Sequence, residues 1–205
     1  MKKKIIIYSI SLFIIIITFG LFVSYNAYSY SGCYKAAKEI DNFSSYECIR
    51  FMIYGSSSDR NGNTISARFS IIDTNGNEIT TIERSWAGSY LTMEFNELEM
   101  NEKSFIFPSI IYGRNKLFDV SRKNNRGTSL PKYYNDDNQC FLLGFGSEFS
   151  DRKYLYDIAA FATSSFPVLT FGKIKIHTLD LAKCKTGIHY SVFVNGSGNF
   201  RVVEY

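Results

Sequence analysis

The chain has little of what most enzymes and metal proteins need. Its 205 residues include two histidines, His177 and His189, three prolines and four cysteines. H-E-x-x-H, G-x-S-x-G and S-D-N are all absent, so the zinc-peptidase, nucleophile-elbow and complete penicillin-binding signatures are missing. No two cysteines stand in C-x-x-C spacing, which leaves no redox pair or zinc knuckle. Charge is nearly balanced as well. Three of the 23 basic residues are Lys2, Lys3 and Lys4, and the remaining 20 face 19 acidic ones. A net charge near +1 does not fit a nucleic-acid-binding surface.

What is present is a charge-free apolar run directly behind those lysines, residues 5–23. At 1.5 Å per residue it reaches about 28 Å as a helix, close to the roughly 30 Å hydrocarbon thickness of a bilayer. Tyr25, Tyr28 and Tyr30 follow it, and amphipathic rings of this kind settle at headgroup level. Three lysines before the run, against Lys35 and Lys38 soon after, place the N-terminus in the cytoplasm and the rest of the chain outside. The expected organisation is a stub and transmembrane signal anchor over 1–30, then one extracytoplasmic domain over 31–205. Two alternatives stay open: a cleaved signal with Ala27 and Ser29 at the cleavage site, and lipid attachment at Cys33 in the box from Tyr30 to Cys33. A pilin-like subunit is set aside, because the glycine cleavage site and the early glutamate of such helices are missing.

In an exported chain an even number of cysteines reads as disulfides. Bridges Cys33–Cys48 and Cys140–Cys184 enclose the shortest loops. With 15 tyrosines and 18 phenylalanines, and abundant Ile, Asn and Ser, the composition favours strands and turns. The fold class expected is mainly β, with α+β as the alternative: an antiparallel, sandwich-like domain of eight or nine strands with one packed helix.

Along the chain, Cys33, Ala36, Ala37 and Ile40 fall on one face of a short helix over 33–40. A strand over 47–54 and a turn over 55–63 follow. Ile65, Ala67, Phe69 and Ile71 alternate with polar residues before Asp73-Thr74-Asn75-Gly76-Asn77. That pattern predicts a hairpin with its return strand over 78–86 and a bulge at Thr80 and Thr81. Asp73, Asn75 and Asn77 imitate the start of a calcium loop, but Glu78 occupies the position that needs glycine, so a plain turn is expected. Strands over 91–95 and 104–112 come next, the second with a bulge or edge at Pro108.

Residues 113–138 read as a long solvated loop. Arg122, Lys123, Arg126 and Lys132 precede Asp136 and Asp137, and Tyr133 and Tyr134 lie between as exposed contact rings. Such a loop is where an exported domain keeps a binding surface, and removing 124–130 is expected to spare folding. A strand over 140–143 leads through Gly144-Phe145-Gly146 to a helix with Ser150 as its N-cap and Leu155, Ile158, Ala159 and Ala162 on one face, stopped by Pro167. Phe149 fills the third glycine position of a dinucleotide turn, so no cofactor is expected. Strands over 173–181, 188–194 and 200–205 close the chain, the last two joined through residues 195–199.

Chemistry is thinly represented. His177 and His189 each stand opposite an apolar face, as surface residues do. S-x-x-K occurs at Ser129 with Lys132 and at Ser150 with Lys153, and Lys185-Thr186-Gly187 imitates a second motif, but about thirty residues are too few for the fold that unites them. No catalytic, cofactor or metal residue is assigned. The expected function is a membrane-tethered extracytoplasmic binding or structural module whose partner is another envelope or surface protein. The alternative is a tethered hydrolase using His177 oriented by Asp180, His189, or Ser150 with Lys153.

Overall fold

The apolar run does not end at the expected membrane edge. In the structure, a computed structural model that describes residues 2–41, 45–59, 62–115, 127–163, 174–195 and 199–205, it belongs to one α-helix, α1 (Lys2–Glu39). Thirty-eight residues at 1.5 Å each make a rod of about 57 Å. From Ile10 onward this helix is long and apolar enough to cross a membrane. Phe13, Ile15, Phe19 and Leu21 are exposed. The separate helix expected over 33–40 is therefore the far end of α1. Nothing between the two segments breaks the ladder: there is no proline, and Asn26 folds its amide back onto the Phe22 carbonyl at 2.8 Å instead of capping a new start. The predicted face does hold, since Cys33, Ala36, Ala37 and Ile40 are all buried.

The body is mostly β and antiparallel. Five strands, β1 (Tyr46–Asp59), β2 (Gly62–Ile72), β3 (Glu78–Ala87), β10 (His189–Val194) and β11 (Phe200–Glu204), form one sheet in the order β11-β10-β1-β2-β3. A second sheet has the order β6-β5-β4-β9, from β4 (Tyr90–Met100), β5 (Lys103–Arg114), the short β6 (Thr128–Ser129) and β9 (Ile174–Asp180). The alternation read in β2 puts Ile65, Ala67, Phe69 and Ile71 inside, because side chains on a strand point to opposite faces in turn. Cross-strand register lines up Tyr190 on Phe51 at 5.2 Å and Phe51 on Phe69 at 5.3 Å, and Trp86, the partner of Ile65, reaches Phe69 edge-on at 5.7 Å to extend the aromatic row. Phe200 of β11 meets Phe95 of β4 at 4.5 Å between the sheets. Helix α2 (Phe149–Ala162) buries Leu155, Ile158, Ala159 and Ala162, as its periodicity predicts, and joins the end of α1 in the same core. Phe161 packs against Tyr30 at 6.0 Å.

Several expectations need correction. The turn over 55–63 is mostly strand, because β1 runs to Asp59 and pairs it with Gly62. The bulge in β3 falls at Ile79, one residue before the expected pair, where the register steps from Ile71↔Thr80 to Ile72↔Glu78. The bulge beside Pro108 is found at Ser109, which β4 skips between Glu94 and Phe95. Ser150 is not the N-cap: extended Glu148 holds that place, and Ser150 Oγ lies 3.5 Å from the Glu148 carboxylate. The strand over 140–143 is only β8 (Gln139–Cys140), pairing with β7 (Asn135–Asp136), and then a 3-10 turn over Phe141–Leu143.

The long loop is also shorter than it reads. Residues 127–140 carry β6, a 3-10 turn over Pro131–Tyr133, β7 and β8, and Leu130 and Tyr134 are buried rather than exposed. The Tyr134 hydroxyl donates to the Pro108 carbonyl at 2.9 Å. Arg122, Lys123, Arg126, the stop at Pro167, residues 42–44 and the hairpin tip at 196–198 lie outside the described residues.

No disulfide joins Cys33, Cys48, Cys140 or Cys184. The expected pairs Cys33–Cys48 and Cys140–Cys184 are not formed. Cys48 Sγ donates to the Val192 carbonyl at 3.3 Å, whereas Cys33 sits on α1. Cys140 lies near Tyr46 and Tyr134, whereas half-buried Cys184 lies near Asp180 and Glu204.

Candidate functional site

The outward positions of β1 and β2 build a groove on the face of the five-stranded sheet turned away from the core. Because Ile49, Phe51 and Ile53 point inward, Arg50 and Met52 must point out, and the same logic puts Arg68 and Ser70 outside on β2. Register pairs Arg50 with Ser70 and Met52 with Arg68, and on the other side Arg50 with Ser191 and Met52 with His189. The two arginines are therefore diagonal neighbours over one spot, with Met52 as floor. His189 and Tyr205 meet with tilted rings, centroids 5.7 Å apart, to form a wall. The space enclosed by Arg50, Met52, Arg68, Glu78, His189 and Tyr205 is about 200 Å³.

Two carboxylates hold this face in shape. Glu47 accepts from Arg50 Nε at 2.9 Å and Nη2 at 2.6 Å, and from the Ser191 hydroxyl. Burial pushes its carboxyl up, but the Arg50 and Ser191 hydrogen bonds outweigh that and leave it below the ordinary value. Glu78 accepts from Thr81 at 2.5 Å and stands 3.9 Å from Arg68, which is contact without a hydrogen bond. Glu83 stands directly opposite Arg68 on β3, a second acid beside it.

Comparison with protein-family models, curated proteins and solved structures gave no match.

A second polar cluster lies where the sheets meet. Glu97 of β4 is buried, accepts from Ser104 Oγ at 2.5 Å and contacts His177 Nε2 at 2.7 Å. His177 is thus not a plain surface residue: the pairing of β9 with β4 sets it directly opposite buried Phe95, its ring lies 5.2 Å from Phe200, and the neighbouring Ile176 is exposed. The carboxylate that orients it is Glu97, not Asp180, which accepts from the Ala182 backbone instead. Glu97 sits between serine and histidine, so the hydroxyl donates to the acid and not to the base a nucleophile needs.

Burial raises the Glu97 carboxyl, and the hydrogen bonds from Ser104 and His177 more than reverse it, so it titrates below the ordinary 4.5. A depressed carboxyl contributes stability that is fully present above the unfolded value and is lost as pH falls through the folded one. The urea midpoint should accordingly hold steady above pH 4.5 and drop below it. Glu97→Gln should lower the midpoint at pH 7 and flatten the acid drop; an acid drop as steep as in the parent chain would assign it to other carboxylates such as Glu47.

The other candidates are not assembled for chemistry. His189 is exposed, as expected, and belongs to the groove. Among the described residues no hydrogen bond links Ser150 to Lys153 or to the stretch from Lys185 to Gly187. Lys185 N instead donates to the Tyr190 hydroxyl at 2.8 Å and Gly187 N to the Ile53 carbonyl at 2.8 Å. Ser129 belongs to β6, and Lys132 lies over the Tyr133 ring at 4.9 Å. Asp73 serves its turn, accepting from the Asn75 and Asn77 amides at 2.8 Å each. Gly144 approaches it at φ +91°, where a Cβ would come within 2.7 Å of Asp73 Oδ2.

Arg50, Arg68, Glu78 and Tyr205 were not singled out from sequence. For Arg68 the signal was the polar phase of a strand already recognised by its apolar phase.

Proposed function

We propose that this protein is a membrane-tethered module that works by contact, holding its β body outside the membrane and presenting the Arg50–Arg68 groove to another envelope or surface component. The observation that carries the reading is the continuity of α1. One rod has exposed apolar side chains at Phe13, Ile15 and Phe19 and buried ones at Cys33, Ala36 and Ala37. A flexible tether would let the body tumble, whereas an unbroken helix rooted in the core fixes height and orientation above the bilayer. The lysines at the start set the direction, with the body outside. Complete burial of Cys33 weighs against the lipid-anchored alternative, because an acylated cysteine would have to leave the core.

Protease added to cells stripped of any outer barrier should digest the body and leave a protected fragment of the first thirty residues or so. Digestion only after the membrane is opened would reverse the orientation, and a mature N-terminus near Tyr30 would establish a cleaved signal. In the same cells, crosslinking through the groove should capture a partner with the intact chain and lose it in Arg68→Gln. Equal capture by the variant would move the contact surface elsewhere.

A further inference from the structure

We infer that the protein binds a second copy of itself head to tail, with residues 116–126 of one chain docked on an aromatic, acid-rimmed patch of the next. The patch lies between β8 and α2, on residues the groove does not use. Phe145 and Phe149 are 61% and 60% exposed, and Phe141 packs beside Phe145 with ring centroids 4.8 Å apart. The turn that carries them is pinned. Thr74 N donates to the Leu142 carbonyl at 2.9 Å and Asn75 Nδ2 to the Leu143 carbonyl at 3.2 Å, while Arg152 donates to Gln139 at 2.8 Å and to the Phe145 and Ser147 carbonyls. Exposed phenylalanines on so fixed a turn offer a partner large apolar area with little ordering left to do.

Charge names the occupant. From Tyr133 to Asp151 the chain has four acids, Asp136, Asp137, Glu148 and Asp151, and no base, and none of the four forms an ion pair among the described residues. With Asp73, which abuts Gly144, and Asp157, which faces Lys153, this end of the body has six acids against Lys132, Arg152 and Lys153. The complement stands in the same chain. Residues 116–126, outside the described residues, contain Lys116, Arg122, Lys123 and Arg126 against Asp119 alone, with the apolar side chains Leu117, Phe118 and Val120 among them.

Reach decides whose patch is occupied. Asn115 follows β5 where Ser89 N donates to the Arg114 carbonyl at 2.7 Å, at the Ala87 end of β3, whereas the patch adjoins the turn before Glu78 at the other end. The length of β3 puts these ends about 30 Å apart at 3.3 Å per residue. Phe118 is three residues past Asn115, at most about 11 Å of chain, so its ring falls short of its own patch. A second copy removes that limit. Because patch and segment are different surfaces, the contact is heterologous and leaves one of each free, the arrangement that grows into open chains. Copies held in one membrane, on the tether reading above, meet at high local concentration, where a weak contact is populated.

The test begins with a fluorescein-labelled synthetic peptide of residues 115–127 titrated onto the full chain in detergent. Its anisotropy should rise saturably, and binding should weaken between about 50 and about 500 mM salt, as screening of exposed charges requires. A peptide of the same composition in shuffled order should bind at least about tenfold more weakly. Phe145→Ser with Phe149→Ser should cost at least about tenfold as well, with the urea midpoint little changed because both rings are exposed. Asp136→Asn with Asp151→Asn is the second variant should the first disturb folding, and it should remove part of the salt dependence. Sedimentation of full chains then tests the second copy. Parent chains should associate with rising concentration, and the double-serine chain and an Arg122→Glu, Lys123→Glu chain should each fail to do so alone. An equimolar mixture of these two variants should form pairs and nothing larger, since only one patch and one segment remain intact.

The inference is overturned if the peptide does not bind, if the shuffled peptide binds equally, if the double-serine chain binds the peptide unchanged, or if the mixed variants stay unpaired. Peptide binding without association of parent chains would reject the second copy and leave a basic segment of another protein as the occupant. Arg68→Gln chains should associate as the parent does; loss of association there would move the self-contact into the groove and reject the patch.

Discussion

Removing residues 128–130 should prevent the chain from folding, although the sequence presents them as part of a dispensable loop. Leu130 is fully buried, and its amide donates to the Ser109 carbonyl at 2.9 Å, tying β6 to the bulge in β5. Thr128 Oγ1 accepts from the Trp86 indole at 3.0 Å and from Arg84 at 3.2 Å, so it satisfies the polar handle of the ring that ends the aromatic row. Losing a buried leucine costs about 2–5 kcal/mol, and leaving a buried donor unpaired about 1–3 kcal/mol. Together these take a large share of a stability that is typically about 5–15 kcal/mol. The milder changes Leu130→Ala and Thr128→Val should each lower the urea midpoint while preserving one cooperative transition. A shortened chain that melts like the parent would show that β6 is an ornament on the second sheet.

That segment shows where legibility in the sequence ends. Periodic signals translated directly: the hairpin of β2 and β3, the buried face of α2, and the face made by Cys33, Ala36, Ala37 and Ile40 all arise from local repeats of 2.0 or 3.6 residues. Residues 127–140 have no repeat. Their order comes from tertiary partners far along the chain, Trp86 for Thr128 and Pro108 for Tyr134, and a polar, glycine-containing stretch gives no sign of such partners. The same holds for Ser150, where a good capping residue lost its place to Glu148 because the preceding turn, pinned by Arg152 to the Phe145 and Ser147 carbonyls, fixes where the helix starts.

The groove was half legible for a related reason. Arg68 stands in a strand whose inward residues were correctly read, so its outward direction followed, whereas the strand of Arg50 was read without its alternation. The proximity of the two did not follow, because it depends on the pairing Met52↔Arg68. Glu97 and His177 were hidden more deeply. The register of β9, which sets Phe95 opposite His177, brings together residues eighty positions apart. No local pattern announces that.

The cysteines carry the other large expected effect. In the native chain Cys48 and Cys140 should not react with a thiol reagent, Cys184 should react slowly, and denaturation should release four thiols. Desolvation is the first cause in each case. Burial pushes the Cys48 thiol far up, despite backbone hydrogen bonds that pull it down. It raises Cys140 to about 12. It raises half-buried Cys184 to about 11, with Asp180 and Glu204 adding to the effect. Since the thiolate is the reacting species, a rise of two units from the ordinary 9.0 should slow Cys184 about a hundredfold at pH 8 relative to a free cysteine. Cys33, fully buried on α1, should be released only when the end of that helix leaves the core, so its labelling rate reports the seating of the rod in the body. Labelling followed by mass spectrometry separates these classes residue by residue. A Cys33–Cys48 or Cys140–Cys184 bridge found under non-reducing conditions would sink this account and restore the disulfides that the even count and an exported location suggest. Rapid labelling of Cys33 in an otherwise protected chain would instead unseat the rigid rod, and with it the proposal that the groove is presented at a fixed height above a membrane.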